Sequence, residues 1–282
     1  MSSQAELSLR FERLTEISGI MTAMKGLSLV ETRKLARFIS HQRRMKTNIE
    51  TAAADFLNFF PVARTADDAQ PAILLLIGSE RGFCGNFNER ILAALAAFPS
   101  NIPLPSLLVL GHRLGSKLEN HPHVLARLDG PTVTEDVPAV LNRLMDALHE
   151  ASQKLSGTGT SLFSLAHGSE AESGGEPELK RLLPLTLPPT PHRAQPPGLQ
   201  LAPPEFFAEL LDQYLLATLY GLLYESLAAE NHQRLAHMEN ALDRLNETIA
   251  HLALKRNALR QEKIIEEIEV ILSSQHAFGE HA

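Results

Sequence analysis

One segment has the form of a ligand-binding turn: Gly78-Ser-Glu-Arg-Gly-Phe-Cys-Gly-Asn86, lying between an apolar run and a stretch of helical spacing. A turn that follows a buried strand and opens a helix is where α/β folds bind phosphates through backbone N–H groups. The phosphate-binding patterns themselves are missing, because Gly82 and Gly85 are spaced GxxG and no lysine follows. The segment therefore reads as a tight strand-to-helix turn. Cys84 lies within it with no histidine near in sequence to activate the thiol, so it reads as packing. As the single cysteine it excludes an internal disulfide and a thiolate zinc site, and it fits a reducing compartment. Of the 12 histidines, His121-Pro-His123 is the only close pair, and without a third ligand at metal spacing it reads as a surface turn. No GxSxG, HExxH or SxxK pattern and no spaced carboxylate pair stands out. The residues predict neither a catalytic set nor a cofactor or metal site.

A second kind of chemistry is electrostatic. Arg33, Lys34, Arg37, Arg43, Arg44 and Lys46 fall in 14 positions that hold no acidic residue. Such a run is either a solvated helix face or a surface for an acidic protein partner.

Proline placement shows which elements must carry these residues. All 17 prolines lie between Pro61 and Pro204, as do 12 of the 16 glycines. Proline costs about 3 kcal/mol inside a helix, so the chain divides into helix, mixed domain and helix. The predicted bounds are 1–60 for an N-terminal coiled-coil helix, 61–187 for an α/β domain, 188–204 for a Pro-rich linker and 205–282 for a C-terminal coiled-coil helix. Charge divides in the same way. Residues 1–60 hold 9 Lys+Arg against 6 Asp+Glu, residues 61–204 hold 11 against 14, and residues 205–282 hold 6 against 13. The basic first segment and acidic last segment can attract one another. A net charge of −7 argues against a nucleic-acid binder held by phosphate attraction.

In the first segment, steps of three and four connect Leu14, Ile17, Met21, Met24, Ser28, Glu31, Leu35, Phe38, Gln42, Met45, Ile49, Ala52, Phe56 and Phe59. That is a heptad seam. Ser3 and Glu6 have the spacing of a capping box, and Pro61 stops the helix. In the last segment, Leu235, Met238, Leu242, Leu245, Ile249 and Leu252 repeat the period; the seam then meets Arg256 and resumes in a shifted register at Ile264, Ile268 and Ile271. Both helices join the mixed domain at neighbouring points, so a pair must be antiparallel. The longer C-terminal helix then projects by roughly 16 residues, or ~24 Å, starting near Leu259.

In the middle, Ala72–Gly78, Ser106–Leu110, Val124–Leu128, Ser161–His167 and Lys180–Leu187 read as strands, with helices at Asn88–Phe98, His112–Asn120 and Ala139–Leu155. The alternation predicts an α/β layered domain with a largely parallel sheet. Residues 184–204 hold 8 prolines in 21 positions and, with the Gly-rich Glu170–Glu178 stretch, read as loop and linker. No run approaches ~18 consecutive apolar residues, and the N-terminus lacks an apolar core behind a basic start, so neither a membrane span nor a secretory signal is expected.

Three motifs then converge. Ile20-Met-Thr-Ala-Met-Lys-Gly-Leu-Ser28 resembles an N-terminal "IT-x-AM-x-x-V" pattern, and Gly78–Asn88 resembles an "S-D-R-G-L-C-G-x-x-N" turn. Glu230, Arg234, Met238, Ala241 and Asp243, followed by Asn257-Ala-Leu-Arg-Gln261, Ile264 and Glu267-Ile268, resemble the C-terminal "E-x-x-x-R-x-x-A-M-x-x-A-x-D-N" and "N-x-x-R-Q-x-x-I-T-x-E-I" patterns. In order and over nearly the whole length these are similar to the gamma subunit of F-type ATP synthases. The resemblance implies two antiparallel helices with an intervening Rossmann-like α/β domain. It also implies a central rotor shaft that couples ion translocation to ATP synthesis or hydrolysis without itself being catalytic. Implied partners are the alpha and beta subunits of the catalytic ring, an epsilon subunit and the membrane c-ring, at the cytoplasmic face of a bacterial inner membrane, without a direct membrane span. Met24, Lys25, Arg260, Gln261 and Ile264 match motif positions facing the ring, and Arg33 and Arg37 of the basic run are expected there too. Departures at Ser28-Leu-Val-Glu31, His237, Arg244 and Ile265 suggest a divergent paralogue of the sodium-coupled kind, and no inserted cysteine pair provides a redox switch. The alternative is a free coiled-coil adaptor with a ligand-binding α/β domain.

Overall fold

The computed structural model describes residues 3–60, 71–99, 105–155, 160–168, 176–185 and 195–279. Helix α1 runs Ser3–Phe59 and α5 runs Pro203–Gly279. Between them come β1 (Ala72–Ile77), α2 (Phe87–Ala96), β2 (Ser106–Leu110), α3 (His112–Lys117), β3 (Val124–Leu128), α4 (Val137–Lys154), β4 (Ser161–Ala166) and β5 (Glu178–Leu183). Ser3's side chain, Pro61, most of the Gly-rich stretch and the first part of the predicted linker lie outside the described residues.

The sheet order is β3-β2-β1-β4-β5. β1 pairs in parallel with β2 and β4, β2 with β3, and β5 closes the edge antiparallel to β4. This is the Rossmann-like arrangement expected from the strand and helix alternation. Every residue of β1 is buried, because its two faces feed two cores. Ile73, Leu75 and Ile77 pack with α4 and with Leu35, Ile39, Leu219 and Leu223 of the long helices. Leu74 and Leu76 pack with Phe87, Ile91 and Leu114 of α2 and α3. A strand covered on both faces has no polar alternation, which is why AILLLI is continuous.

The chain forms two compact units, residues 28–235 and residues 1–27 with 236–282. Within the larger one, Arg43 and Glu225 form an ion pair at 3.1 Å and Phe38 stacks on Tyr224 at 5.3 Å. Within the smaller one, Lys25 meets Glu239 at 2.6 Å and Ser18 donates to Asn246 at 3.2 Å. With Phe56 against Phe206 in the larger unit, rising numbers on α1 meet falling numbers on α5 in both units, so the pairing is antiparallel as expected. The segregated charges of the two helices are used in cross-helix ion pairs, each worth no more than about 1 kcal/mol where exposed.

The α1 seam keeps ten of its 14 predicted positions, Met24, Glu31 and Phe59 among those half-buried. Ser28, Leu35 and Phe56 are buried, and Leu14, Met21, Gln42 and Ile49 are half-buried. At the other four the covered position shifts by one residue. Ile39 is buried while Phe38 is 40% exposed, and Ala53 is fully buried while Ala52 is exposed. Ile17 and Met45 are exposed, and Ser18 and Lys46 are half-buried in their place. The steps run four-then-three rather than three-then-four. Both choices have a period of 3.5, so the repeat fixes the stripe but not which flank the neighbour covers. The α5 seam holds throughout: Met238, Leu242 and Leu252 are buried, and Leu235, Leu245 and Ile249 half-buried. At Arg256 the guanidinium sits 4.2 Å from the centre of the Phe11 ring, so a cation–π contact replaces an apolar knob. Beyond it, the resumed apolar positions Ile264, Ile268 and Ile271 are all exposed.

One stretch of α5 is long and apolar enough by composition to cross a membrane, although the apolar residues in it are not consecutive. Leu219, Leu222, Leu223 and Leu227 of α5 are buried in the core.

The shifted seam is open to a direct test. Ala53→Leu overpacks a filled position and lowers stability by about 1–3 kcal/mol, whereas Ala52→Leu at the exposed neighbour leaves it unchanged within about 0.5 kcal/mol. Urea unfolding of the two variants measures the difference.

Candidate functional site

The turn after β1 lies at the carboxyl edge of the sheet, where an α/β fold normally takes its ligand. Its conformation depends on special backbone at several points. Phe83 and Gly85 both have positive φ, at 63° and 56°. Gly111, closing β2, has φ 106°, and a Cβ there would lie 2.6 Å from the carbonyl oxygen of Gly78. The β1 and β2 turns thus touch backbone to backbone, which only glycine allows.

The N–H groups of this edge already have acceptors. The Glu230 carboxylate on α5 accepts the N–H of Glu80 at 3.1 Å and that of Arg81 at 3.2 Å. Glu80 in turn accepts the N–H of His112 at 2.8 Å and that of Gly130 at 2.7 Å through one carboxylate oxygen. Two side-chain carboxylates thus occupy donors on the turns after β1, β2 and β3. Chemically each stands where a phosphate oxygen would sit. The reading of Gly78–Asn86 as a structural turn has this as its physical basis.

Arg234, one helical turn beyond Glu230, completes the arrangement. It pairs with the Glu230 carboxylate and donates to Asn231 Oδ1 at 3.0 Å, to the Gly82 carbonyl at 3.2 Å and to Cys84 Sγ at 3.4 Å. Glu230 and Arg234 are each only 4% exposed. Burial pushes the Glu230 carboxyl above the usual carboxylate range, and the Arg234 charge and the two backbone donors pull against it. Burial also raises the Cys84 thiol to about 12, with the negative charge of Glu230 adding to the effect. Cys84 is therefore a buried, protonated thiol, in line with the packing reading. A second fastening joins α1 to the same domain: Glu31 accepts the N–H of Thr134 at 3.1 Å and its hydroxyl at 2.8 Å.

Among the described residues no cluster of three or more His, Cys, Asp or Glu is placed to hold a metal. His121 is half-buried and His123 exposed at a turn, with their rings 5.8 Å apart edge to face.

A family profile described as ATP synthase matches residues 3–278. The chain belongs to the ATP synthase gamma-chain family. The ATP synthase gamma chain of Bdellovibrio bacteriovorus is 26% identical over 98% of this chain and 99% of its own length. That of Acetivibrio thermocellus is 25% identical over 96% and 98%. The fold resembles a rotor chain of the Euglena gracilis mitochondrial ATP synthase, with TM-score 0.64, 12% identity and coverage of 93% of this chain and 99% of that one. A chain of that enzyme's OSCP/F1/c-ring structure gives TM-score 0.65 at 14% identity, covering 98% and 94%.

Seen against the family, the positions carried over from its motifs fall into different settings. Arg260 and Gln261 are exposed, and Ile264 is 46% exposed. Met24 is half-buried, and Lys25 is engaged with Glu239. Arg33 and Arg37 are both exposed on α1. The gamma-chain motif residues Glu230 and Arg234 play a part that their spacing alone did not disclose, because their partners lie about 150 residues away in the β1 turn. One signal was available in the sequence: an acid and a base four apart, Glu230 and Arg234, between the apolar residues Leu227-Ala-Ala229 and Leu235.

Two outcomes follow from the buried pair. Arg234→Ala strands a buried carboxylate and costs about 3–5 kcal/mol near neutral pH. Because the folded carboxyl is raised, its contribution favours folding at low pH and is lost as pH rises through that raised value. Removing Arg234 raises it further, so the deficit of the variant shrinks between pH 7.5 and pH 5 in chemical denaturation. Cys84 resists alkylation by iodoacetamide at pH 8 in the folded chain and reacts fully once urea unfolds it, as mass spectrometry measures.

Proposed function

We propose that this chain is the central rotor shaft of a rotary ATP synthase, carrying torque between an ion-driven membrane ring and a catalytic ring of alpha and beta subunits. Membership of the gamma-chain family over nearly its full length carries this reading. Its own role is mechanical rather than catalytic. In such a machine an asymmetric rod biases three sites on other chains toward different conformations in turn, so rotation becomes a sequence of population shifts. Two helices without an internal proline, paired along their lengths, are suited to that use.

The crevice filled by Glu230 and Glu80 favours this over the adaptor reading, since the usual ligand site of the α/β domain is closed by its own carboxylates. The exposed end of α5, with Arg260, Gln261 and Ile264, is the proposed contact with the alpha/beta ring, together with Met24, Lys25, Arg33 and Arg37 on α1. The α/β domain is the proposed meeting point with the epsilon subunit and the c-ring. The complex is placed at the cytoplasmic face of a bacterial inner membrane, with this chain peripheral. The departures at His237, Arg244 and Ile265 support a divergent, sodium-coupled paralogue.

Co-purification tests the assignment: a tagged chain expressed with its neighbouring subunits carries a nucleotide-hydrolysing hexamer with it, and recovery of the chain alone would overturn the rotor reading. In the assembled complex Arg260→Ala lowers ion-coupled ATP synthesis by about tenfold or more, corresponding to roughly 1.4 kcal/mol of lost coupling, while the circular dichroism of the chain is unchanged. Unaltered coupled synthesis in that variant would remove Arg260 from the grip.

A further inference from the structure

Every residue of α5 from 260 to 271 is exposed. At 3.6 residues per turn, Ile264, Ile265, Ile268 and Ile271 fall on one stripe of this stretch. Glu262 and Glu269 border the stripe on one side and Glu267 on the other. The stretch holds four glutamates against Arg260 and Lys263, a net charge of −2. Lys263 pairs with Glu267 at 3.8 Å, while Glu262 and Glu266 have no partner among the described residues.

A surface of the opposite character lies in the larger unit, where a groove of about 860 Å³ runs between α1 and α5. Its floor is Ala36, Ile39 and Ala228, two of them alanines that let another helix come close, and its rims carry Arg33, Arg43, Arg44 and His232. No carboxylate lines it. Arg43 is paired with Glu225, and Arg44 contacts His41 Nδ1 at 3.0 Å. Arg33, and the exposed Arg37 one turn further along α1, have no partner among the described residues. Leu29, 37% exposed, stands one turn before Arg33. A narrow apolar floor between cationic rims fits an acidic amphipathic helix.

The chain carries such a helix at the end of α5. Ala228 and His232 belong to α5 as well, and a continuous helix cannot lay its end against its own middle. The occupant is therefore the end of α5 from another copy. Each copy has one helix end and one groove, so reciprocal exchange makes a two-fold dimer with two identical contacts.

We propose that the unassembled chain forms this dimer, with the isoleucine stripe of each copy in the groove of the other and its glutamates beside Arg33 and Arg37. The dimer masks an exposed apolar surface until a complex takes up the end of α5 and displaces the second copy. It goes beyond the shaft role and does not depend on it.

Light scattering on the full-length chain after gel filtration tests it. The mass should rise from 31.0 kDa toward twice that value as the concentration passes the order of 10 µM, since small interfaces are weak. Raising salt from about 0.05 M to about 0.5 M should weaken the dimer about threefold or more by screening the rim charges. Arg33→Glu with Arg37→Glu, or Glu262→Lys with Glu269→Lys, should each weaken it about tenfold, because like charges then face each other at exposed positions. Mixing the two charge-reversed chains should restore dimers of wild-type strength, because both contacts of the mixed pair again join opposite charges. A chain that stays monomeric up to about 100 µM would assign the groove and the helix end to different partners and overturns the proposal. Dimers unaffected by either reversal, no recovery in the mixture, or growth past two copies overturn it as well.

Discussion

The Glu230–Arg234 pair on α5 is the contact on which the arrangement of the α/β domain depends. The turns that leave a parallel sheet at its carboxyl edge expose N–H groups that need acceptors, and water or a ligand usually supplies them. Here a carboxylate from the long helix accepts from the β1 turn, and an arginine one turn further takes the carbonyl and thiol of the same loop. Such a pair is costly to bury and costlier to break, so it specifies position more than it adds net stability. It fixes α5 relative to β1, and Glu80 extends the fixation to the turns after β2 and β3.

That constraint changes what the domain can do. A Rossmann-like sheet with an open crevice binds nucleotides or similar ligands. The same sheet with its donors filled by its own carboxylates becomes a solid block that carries a load on a helix. Hydrophobic burial supplies the bulk of the cohesion: α1 and α5 cover one face of the sheet with Leu35, Ile39, Leu219 and Leu223, and α2 and α3 cover the other. The exposed ion pairs along the helices contribute little to stability. For a chain of the gamma family, a helix pair of defined register joined to a rigid foot is the mechanical requirement.

Much of this was legible in the residues. Strands Ser106–Leu110 and Val124–Leu128 fall where apolar runs and β-branched residues predict them, and α5 begins at Pro203, where proline suits a first turn. Some ends moved: α3 stops at Lys117 rather than Asn120, α4 starts at Val137 rather than Ala139, and the last strand runs Glu178–Leu183 rather than Lys180–Leu187. No proline marks the end of α3, whereas Pro138 opens α4 and Pro184 follows the last strand. The motif positions on α5 were also readable, but not their purpose.

The sequence by itself determined the division into helix, sheet domain and helix, because proline and glycine act on the backbone locally and β1's unbroken apolarity has meaning without its neighbours. It also determined the antiparallel sense, which follows from chain connectivity. Only the tertiary structure decided which flank of the α1 stripe is buried, placing Ile39 and Ala53 inside where Phe38 and Ala52 would have served the same period. Only it decided that Glu230 closes the phosphate-type turn. Both outcomes depend on atoms brought together from about 150 residues apart or more, and a periodicity of 3.5 or a spacing of four contains no information about what lies across the gap.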